Sequence, residues 1–206
     1  MRPRIYLFGD SITEFSFADG GWGAALANHF SRRADVVVRG YSGYNTRWAL
    51  KVLERVFPAS EEHSGAGDPL ALTVFFGAND ACLPDRYGAF QHVPLDEYKQ
   101  NLISIVSFLK VSSCSTRLLC SLSGTFSIDL AKISFRLVIG LDNLMPSLLY
   151  YFDGLHLSRN GNTIVFEEVV QKLKEEGLSP EMLPADLPLL SEMDYNDPLK
   201  AFEELR

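Results

Sequence analysis

Short apolar runs alternate along the chain with stretches in which apolar residues recur three and four positions apart. The apolar runs end at glycine-containing loops, as buried strands often do, and cover residues 5–8, 35–39 and 70–76. The amphipathic stretches predict helices over residues 22–33, 46–57, 95–110 and 162–176. Thr46 is the predicted cap of the second helix. Nearly continuous apolar strands alternating with helices favour an α/β fold with a parallel sheet.

Two stretches depart from this alternation. Residues 111–152 contain no glutamate, few charges and no sustained helix or strand period, and a strand over residues 117–122 is the one element predicted there. Residues 178–206 contain four prolines and seven acidic against two basic side chains. We therefore predict one domain over residues 1–177, with 111–152 as an atypical segment. Residues 178–206 are expected to form an extended acidic tail packed on that domain.

Composition narrows the class of protein. The 206 residues carry a formal net charge of −7 and 47% hydrophobic residues, with a mean hydropathy of +0.02, which is ordinary for a globular chain and untypical of a disordered one. The length fits one large domain. The acidic balance argues against nucleic acid as a partner, because phosphate binding needs clustered Lys and Arg.

The apolar runs and the cysteines bear on the compartment. No run approaches the roughly 20 apolar residues that span a bilayer, and the apolar stretch at residues 5–8 is too short for a secretory signal. Three cysteines without a Cys-x-x-Cys pair suit a reducing compartment. We therefore expect no membrane span and a cytoplasmic location.

Unusual residues follow the predicted strands, in loops that meet at the carboxyl edge of a parallel sheet, where ligands bind. Each one alone has an ordinary interpretation. Ser11 could cap a helix, Gly43 could serve a turn, and Asn79 could form an Asx turn. Asp153 and His156 could satisfy local hydrogen bonds in their loop.

Together the same residues suit nucleophilic catalysis. A serine hydroxyl needs an adjacent base, and that base needs a carboxylate to fix its tautomer. Asp153 and His156 lie three positions apart, so one loop could deliver both groups to Ser11. A tetrahedral intermediate also needs donors for its oxyanion, which the N–H groups of Ser11 and Gly43 and the Asn79 amide could supply.

These residues lie in four short blocks whose order resembles that of the SGNH hydrolases, also called GDSL esterases/lipases. The blocks are Gly-Asp-Ser at 9–11, Gly43, Gly-Ala-Asn-Asp at 77–80 and Asp-Gly-Leu-His at 153–156. The tracts at 37–48 and 196–202 are similar, more narrowly, to the isoamyl acetate-hydrolysing esterase group in a plant-like version.

The resemblance implies a flavodoxin-like three-layer α/β/α fold and ester hydrolysis without a metal or organic cofactor. By position, it implies that Ser11 is the nucleophile, His156 the base and Asp153 the residue that orients the base. Ser11, Gly43 and Asn79 would form the oxyanion hole. The expected partner is a small-molecule ester, an acetate above all, and no oligomeric state is predicted.

The resemblance fails over residues 111–152, where family members usually carry a longer stretch. The sheet could therefore lack a strand there, and the abrupt change after Lys110 suggests a retained intron. The alternative function is a catalytically impaired splice-variant isoform that acts, if at all, as a binding or regulatory protein.

Other functions have weaker support in the sequence. The same fold and residues also serve thioesterases and carbohydrate deacetylases, which stay open as alternatives. A nucleotide-binding module is disfavoured, because the chain has no Gly-x-Gly-x-x-Gly motif and no P-loop lysine. Metal binding is not expected, because His29, His63 and His92 lack ligand-like spacing to another His or Cys.

Overall fold

The computed structural model describes residues 2–58, 69–85, 87–111, 117–122, 138–140 and 155–205. Over these ranges the chain folds around a five-stranded parallel sheet. The strands are β1 (Arg4–Gly9), β2 (Asp35–Gly40), β3 (Ala71–Phe76), β4 (Arg117–Leu122) and β5 (Val138–Gly140). Their order across the sheet is β2-β1-β3-β4-β5. The helices are α1 (Ser11–Glu14), α2 (Trp22–His29), α3 (Thr46–Val56), α4 (Leu95–Val111) and α5 (Arg159–Glu175).

The helices cover both faces of the sheet. Alternate residues of a strand point to opposite faces, so Leu7 packs with one core cluster and Phe8 with the other. Helices α2 and α5 contribute to the first cluster, and α3 and α4 to the second. Because both faces are buried, all six residues of β3 are buried. The predicted three-layer α/β/α fold is therefore confirmed.

Strand β3 lies between β1 and β4, so the loops after β1 and β3 leave the same edge of the sheet side by side. Phe8 and Gly9 of β1 are paired with Val74 and Phe75 of β3. Just past this pairing, the Asp10 N–H donates to the Phe75 carbonyl at 3.3 Å. Parallel pairing thus brings together two loops that are about 70 residues apart in the sequence.

Residues 111–152 supply two strands of the sheet. The predicted strand over residues 117–122 is confirmed as β4, which pairs in parallel with β3. Strand β5 follows and pairs with β4 over three residues. The expectation that the sheet lacks a strand in this range is therefore wrong. The short length of β5 explains why the hydrophobic pattern did not reveal it, because three residues are too few to establish a period.

The helix boundaries differ from the sequence pattern at three places. Helix α2 ends at His29 and not at residue 33, because the chain turns there and Arg32 adopts a positive φ of 66°. Asn45, not Thr46, caps α3, and its side chain accepts a hydrogen bond from the Trp48 N–H. Helix α5 begins at Arg159, three residues before the predicted start at residue 162.

Residues 178–205 continue from α5 as short 3₁₀ helices joined by extended chain. Leu178 is buried in the first core cluster, which fixes the start of this segment. The Arg32 guanidinium donates to Asp186 Oδ1 at 3.0 Å and to the Leu187 carbonyl at 2.7 Å. Arg33 donates to the Leu183 carbonyl at 2.6 Å. The turn after α2 therefore holds the first third of this segment against the sheet domain.

Within the described part of the chain, no helix combines the length and the hydrophobicity that a membrane span requires.

Candidate active site

Strand β1 delivers Ser11 to the carboxyl edge of the sheet. The strand ends at Gly9, where an added Cβ would lie 2.1 Å from Thr13 Oγ1, so the close turn into α1 requires glycine. Asp10 caps α1, and its Oδ1 accepts from the Ile12 N–H at 3.0 Å. Ser11 is the first residue of the helix and not its cap, contrary to the ordinary interpretation of a serine at this position. Its side chain is therefore available for other contacts.

The Ser11 hydroxyl contacts His156. Its Oγ lies 3.0 Å from His156 Nε2, although 145 positions separate the two residues in the sequence. The Phe15 ring meets the imidazole edge-on, with 5.8 Å between ring centroids. Phe15 is half exposed, so the ring that packs beside the imidazole is itself in contact with solvent. Asp153, the predicted orienting carboxylate, lies outside the described residues.

The second site loop is a tight turn that contains Gly43. The Tyr44 N–H donates to the Tyr41 carbonyl at 3.1 Å, and Gly43 has a φ of 78°. A positive φ at the third position is typical of a type II turn and favours glycine. The Glu14 carboxylate accepts from the Ser42 N–H at 2.5 Å, which links this turn to the end of α1. The turn is thus tied to the short helix that begins at Ser11.

The third loop follows β3 and contains Asn79. Its side chain is 5% exposed, and Nδ2 donates to the Tyr44 carbonyl at 2.9 Å. Asn79 Oδ1 accepts from Gln91 Nε2 at 3.0 Å, and the same nitrogen donates to the Gly43 carbonyl at 2.8 Å. Gln91 did not emerge from the sequence, because it ends a 3₁₀ helix (Ala89–Gln91) that is too short to show a period, and it belongs to none of the four blocks. Asn79 and Gly43 thus share one hydrogen-bonded partner.

Two carboxyl groups are buried beneath these loops. Asp80 accepts from both the N–H and the hydroxyl of Thr46, and burial raises the pKa of Asp80 despite these bonds. Burial, reinforced by the charge of Asp80, raises the pKa of Asp10 to about 7. Among the described residues, Asp10 Oδ2 has no hydrogen-bond partner. Both carboxyl groups are therefore poorly solvated, and this makes their ionised forms less favourable than in water.

Open hydrogen-bond donors remain in these loops. Within the described ranges, the N–H groups of Ser11 and Gly43 form no hydrogen bond, and the second hydrogen of Asn79 Nδ2 is unused. In the same part of the chain, no three His, Cys, Asp or Glu side chains are grouped closely enough to hold a metal ion. The described residues thus place a serine hydroxyl beside an imidazole, and the three open donors follow strands β1, β2 and β3.

Comparison with known proteins identifies the family of this chain. Residues 5–137 match the family model of GDSL-like lipase/acylhydrolases. A GDSL esterase/lipase of Arabidopsis thaliana is 49% identical over 240 aligned positions, which cover 99% of each chain. Because this chain has only 206 residues, that relative carries residues that this chain lacks.

Two further comparisons extend the likeness. The human isoamyl acetate-hydrolyzing esterase 1 homolog is 37% identical over 88% of this chain and 86% of its own length. The crystal structure of TesA superposes with a TM-score of 0.61 over 84% of this chain and 98% of TesA, and at 19% identity this likeness concerns the fold alone. The match to the family model and the extended identity to curated esterases lead to one conclusion: this chain is a carboxylic ester hydrolase that belongs to the GDSL-like lipase/acylhydrolase family.

Proposed function

We propose that the chain hydrolyses small acyl esters, acetates above all, through a catalytic triad of Ser11, His156 and Asp153. The observation that carries this proposal is the 3.0 Å separation of Ser11 Oγ and His156 Nε2. At this distance the imidazole can accept the hydroxyl proton as the hydroxyl attacks. Preference for acetates is supported by the relative named as an isoamyl acetate-hydrolyzing esterase homolog.

The proposed reaction has two halves that pass through one acyl-enzyme. Ser11 Oγ bonds to the ester carbonyl carbon while His156 Nε2 takes its proton. The tetrahedral intermediate collapses, the carbon–oxygen bond to the alcohol breaks, and His156 returns the proton to the departing alcohol. Water then attacks the acyl-enzyme, again losing a proton to His156, and the carboxylic acid leaves as Ser11 regains its hydrogen.

The oxyanion of each tetrahedral intermediate requires donors that are already in place. We assign this role to the N–H groups of Ser11 and Gly43 and to Asn79 Nδ2. Support comes from the unused hydrogens on these groups and from the burial of Asn79, which strengthens a hydrogen bond to a developing charge. Asp153 is assigned the role of orienting His156 by its position in the family block.

The charge of the chain favours uncharged esters. The chain carries a net charge of −7, with 26 acidic against 19 basic side chains. An anionic substrate such as a phospholipid would meet repulsion on approach, whereas a neutral acetate ester would not.

Turnover of p-nitrophenyl acetate tests the proposal. We expect the purified chain to hydrolyse it and Ser11→Ala to lose at least about 10³-fold in kcat, since the nucleophile is removed. Ser104→Ala is the matched control, because the Ser104 hydroxyl is exposed and donates to the Gln100 carbonyl within α4. A fluorophosphonate probe should label the wild-type chain at Ser11 and leave Ser11→Ala unlabelled. Full turnover by Ser11→Ala would overturn the triad.

The same assay separates the other functions. Turnover of acyl thioesters or acetylated sugars at rates above those of acetate esters would assign the site to thioesterase or deacetylase chemistry. The impaired-isoform alternative is motivated by the residues that the Arabidopsis relative has and this chain lacks. It predicts that the folded wild-type chain and Ser11→Ala are equally inactive toward every ester.

A further inference from the structure

We infer that Gln91 is a positioning residue that orients both Asn79 and the Gly43 turn for binding of the oxyanion. The inference rests on the proposed function, because it takes Asn79 and Gly43 as oxyanion donors. Gln91 contacts neither Ser11 nor His156 through any hydrogen bond in the described residues. Its effect on the reaction would therefore pass through the two groups that it holds.

One side-chain nitrogen joins the two loops. Gln91 Nε2 donates to the Gly43 carbonyl at 2.8 Å and to Asn79 Oδ1 at 3.0 Å. An amide nitrogen has two hydrogens, so both are used. The partners lie 48 and 12 positions away in the sequence. No other described side chain bonds to both.

These contacts determine which way the Asn79 amide faces. Nδ2 donates to the Tyr44 carbonyl at 2.9 Å while Oδ1 accepts from Gln91. If the amide were turned by half a rotation, its oxygen would face the Tyr44 carbonyl and its nitrogen would face the nitrogen of Gln91. Both pairs would then repel. Only the observed orientation pairs every donor with an acceptor, and it leaves one Nδ2 hydrogen for the oxyanion.

Gln91 is itself held rigidly. Its N–H donates to the Gly88 carbonyl at 2.8 Å, and its own carbonyl accepts from Asn45 Nδ2 at 2.8 Å. Gly88 has a φ of 96°, and a Cβ there would lie 3.3 Å from Gln91 Oε1. A glycine thus allows the chain to approach the amide closely. Donors fixed in this way are what efficient stabilisation of a transition state requires.

The chemistry of the contacts specifies glutamine. Both partners of Nε2 are oxygen acceptors, so the side chain at position 91 must supply two hydrogens from one atom. Glutamate has the same shape but, when ionised, supplies none. Leucine fills similar space and supplies none at any pH. The substitutions Gln91→Glu and Gln91→Leu therefore remove the two hydrogen-bond donors while nearly keeping the volume of the side chain.

The first test measures kcat and KM on p-nitrophenyl acetate, with the melting temperature of each variant. For Gln91→Glu and Gln91→Leu, we expect kcat to fall by about tenfold to a hundredfold with KM changed less than about threefold, since the loss arises in the transition state. Gln171→Leu on α5 is the matched control, because its exposed amide bonds to Glu175 on the same helix. It should retain kcat within about twofold. If Gln91→Leu does not fold, Gln91→Glu keeps the shape and provides the measurement.

The second test is a double-mutant cycle with Asn79→Ala. If Gln91 acts partly through Asn79, the loss in kcat caused by Gln91→Leu should be at least about fivefold smaller in the Asn79→Ala background than in the wild type. An equal loss in both backgrounds, or wild-type kcat in both Gln91 variants, would overturn the inference. Ser11→Ala keeps the two proposals apart. Loss of activity in Ser11→Ala and Asn79→Ala with full activity in Gln91→Leu would reject this inference alone.

Discussion

The Thr46 hydroxyl donates a hydrogen bond to the Asp80 carboxylate beneath the site, with 2.5 Å between Thr46 Oγ1 and Asp80 Oδ1. The Thr46 N–H also donates to both oxygens of Asp80, at 3.0 and 3.1 Å. Thr46 begins α3 just after the Gly43 turn, and Asp80 follows Asn79. The bond therefore ties the loop after β2 to the loop after β3.

Removing the Thr46 hydroxyl should destabilise the fold. In Thr46→Val, the buried Asp80 carboxylate loses its hydroxyl donor, and Asn101 Nδ2 loses the hydroxyl as an acceptor. We expect a loss of about 1–3 kcal/mol in the free energy of unfolding, the usual cost of leaving buried polar groups without partners. Thr46→Ser retains the hydroxyl and is the control. Urea unfolding checks this, and equal stability of the Val and Ser variants would contradict it.

Removing the Asn79 side chain should slow the reaction and leave substrate binding nearly unchanged. Asn79→Ala deletes the proposed side-chain donor of the oxyanion hole. We expect kcat to fall by about 10²–10³-fold with little change in KM, because the hydrogen bond forms mainly in the transition state. Steady-state kinetics on p-nitrophenyl acetate provide the measurement. A rise in KM alone would make Asn79 a residue that binds the ground state.

Two glycines with similar backbone angles offer a matched comparison. Gly43 has a φ of 78° and Gly177 a φ of 72°, so alanine at either position adopts a conformation that costs about 1–2 kcal/mol. A Cβ at Gly43 would lie 3.3 Å from Gln91 Nε2, whereas a Cβ at Gly177 would meet nothing within 4 Å. We expect both alanine variants to lose stability, but only Gly43→Ala to lose kcat as well. Equal kcat in the two variants would contradict a role for the turn in the reaction.

The buried Asp10 should make stability depend on pH. Its pKa rises from 3.8 to about 7, chiefly because of burial, so between these values the folded chain retains a proton that the unfolded chain has lost. The contribution of Asp10 to stability is fully present below 3.8 and is lost as the pH rises toward about 7. Asp10→Asn keeps the acceptor for Ile12 and does not titrate.

The melting temperature of the wild-type chain, relative to that of Asp10→Asn, should therefore fall between about pH 4 and pH 7 and change little above that range. Asp96→Asn provides the control, because its side chain is fully exposed at the start of α4. Parallel pH profiles for the wild-type chain and Asp10→Asn would show that Asp10 titrates alike in the folded and unfolded states.

We propose that residues 178–206 act as a tail that stabilises the domain formed by residues 1–177. Arg32→Ala removes the contacts to Asp186 and to the Leu187 carbonyl. We expect faster proteolysis within residues 183–205 and a small drop in melting temperature, since these contacts are largely exposed. Arg159→Ala, which breaks an exposed ion pair with Asp19, is the control. Identical digestion of the two variants would contradict a role for Arg32 in holding the tail.

The sequence was sufficient for the features that depend on local pattern. The first three strands were predictable as apolar runs, because both faces of the sheet are buried. The four longer helices were predictable from their periodicity, because a helix that is buried on one side has apolar residues three and four positions apart. The four blocks also identified Ser11, Gly43, Asn79 and His156 as candidates, since a strand that ends in a glycine-rich turn repeatedly delivers polar groups to one edge of the sheet. Of these, the structure joins Ser11 to His156 directly and Gly43 to Asn79 through a shared partner.

The remaining features depend on contacts between residues that are far apart in the chain. Gln91 follows no repeat, and its importance arises only because the fold brings it between Gly43 and Asn79. Threonine is a common helix cap, but the Thr46 hydroxyl donates to Asp80 instead. The cap of α3 is Asn45. Local propensity could not decide between these two polar neighbours. The deciding contact is with Asp80, 34 positions away, because a carboxylate that folding has buried requires hydrogen-bond donors in place of water.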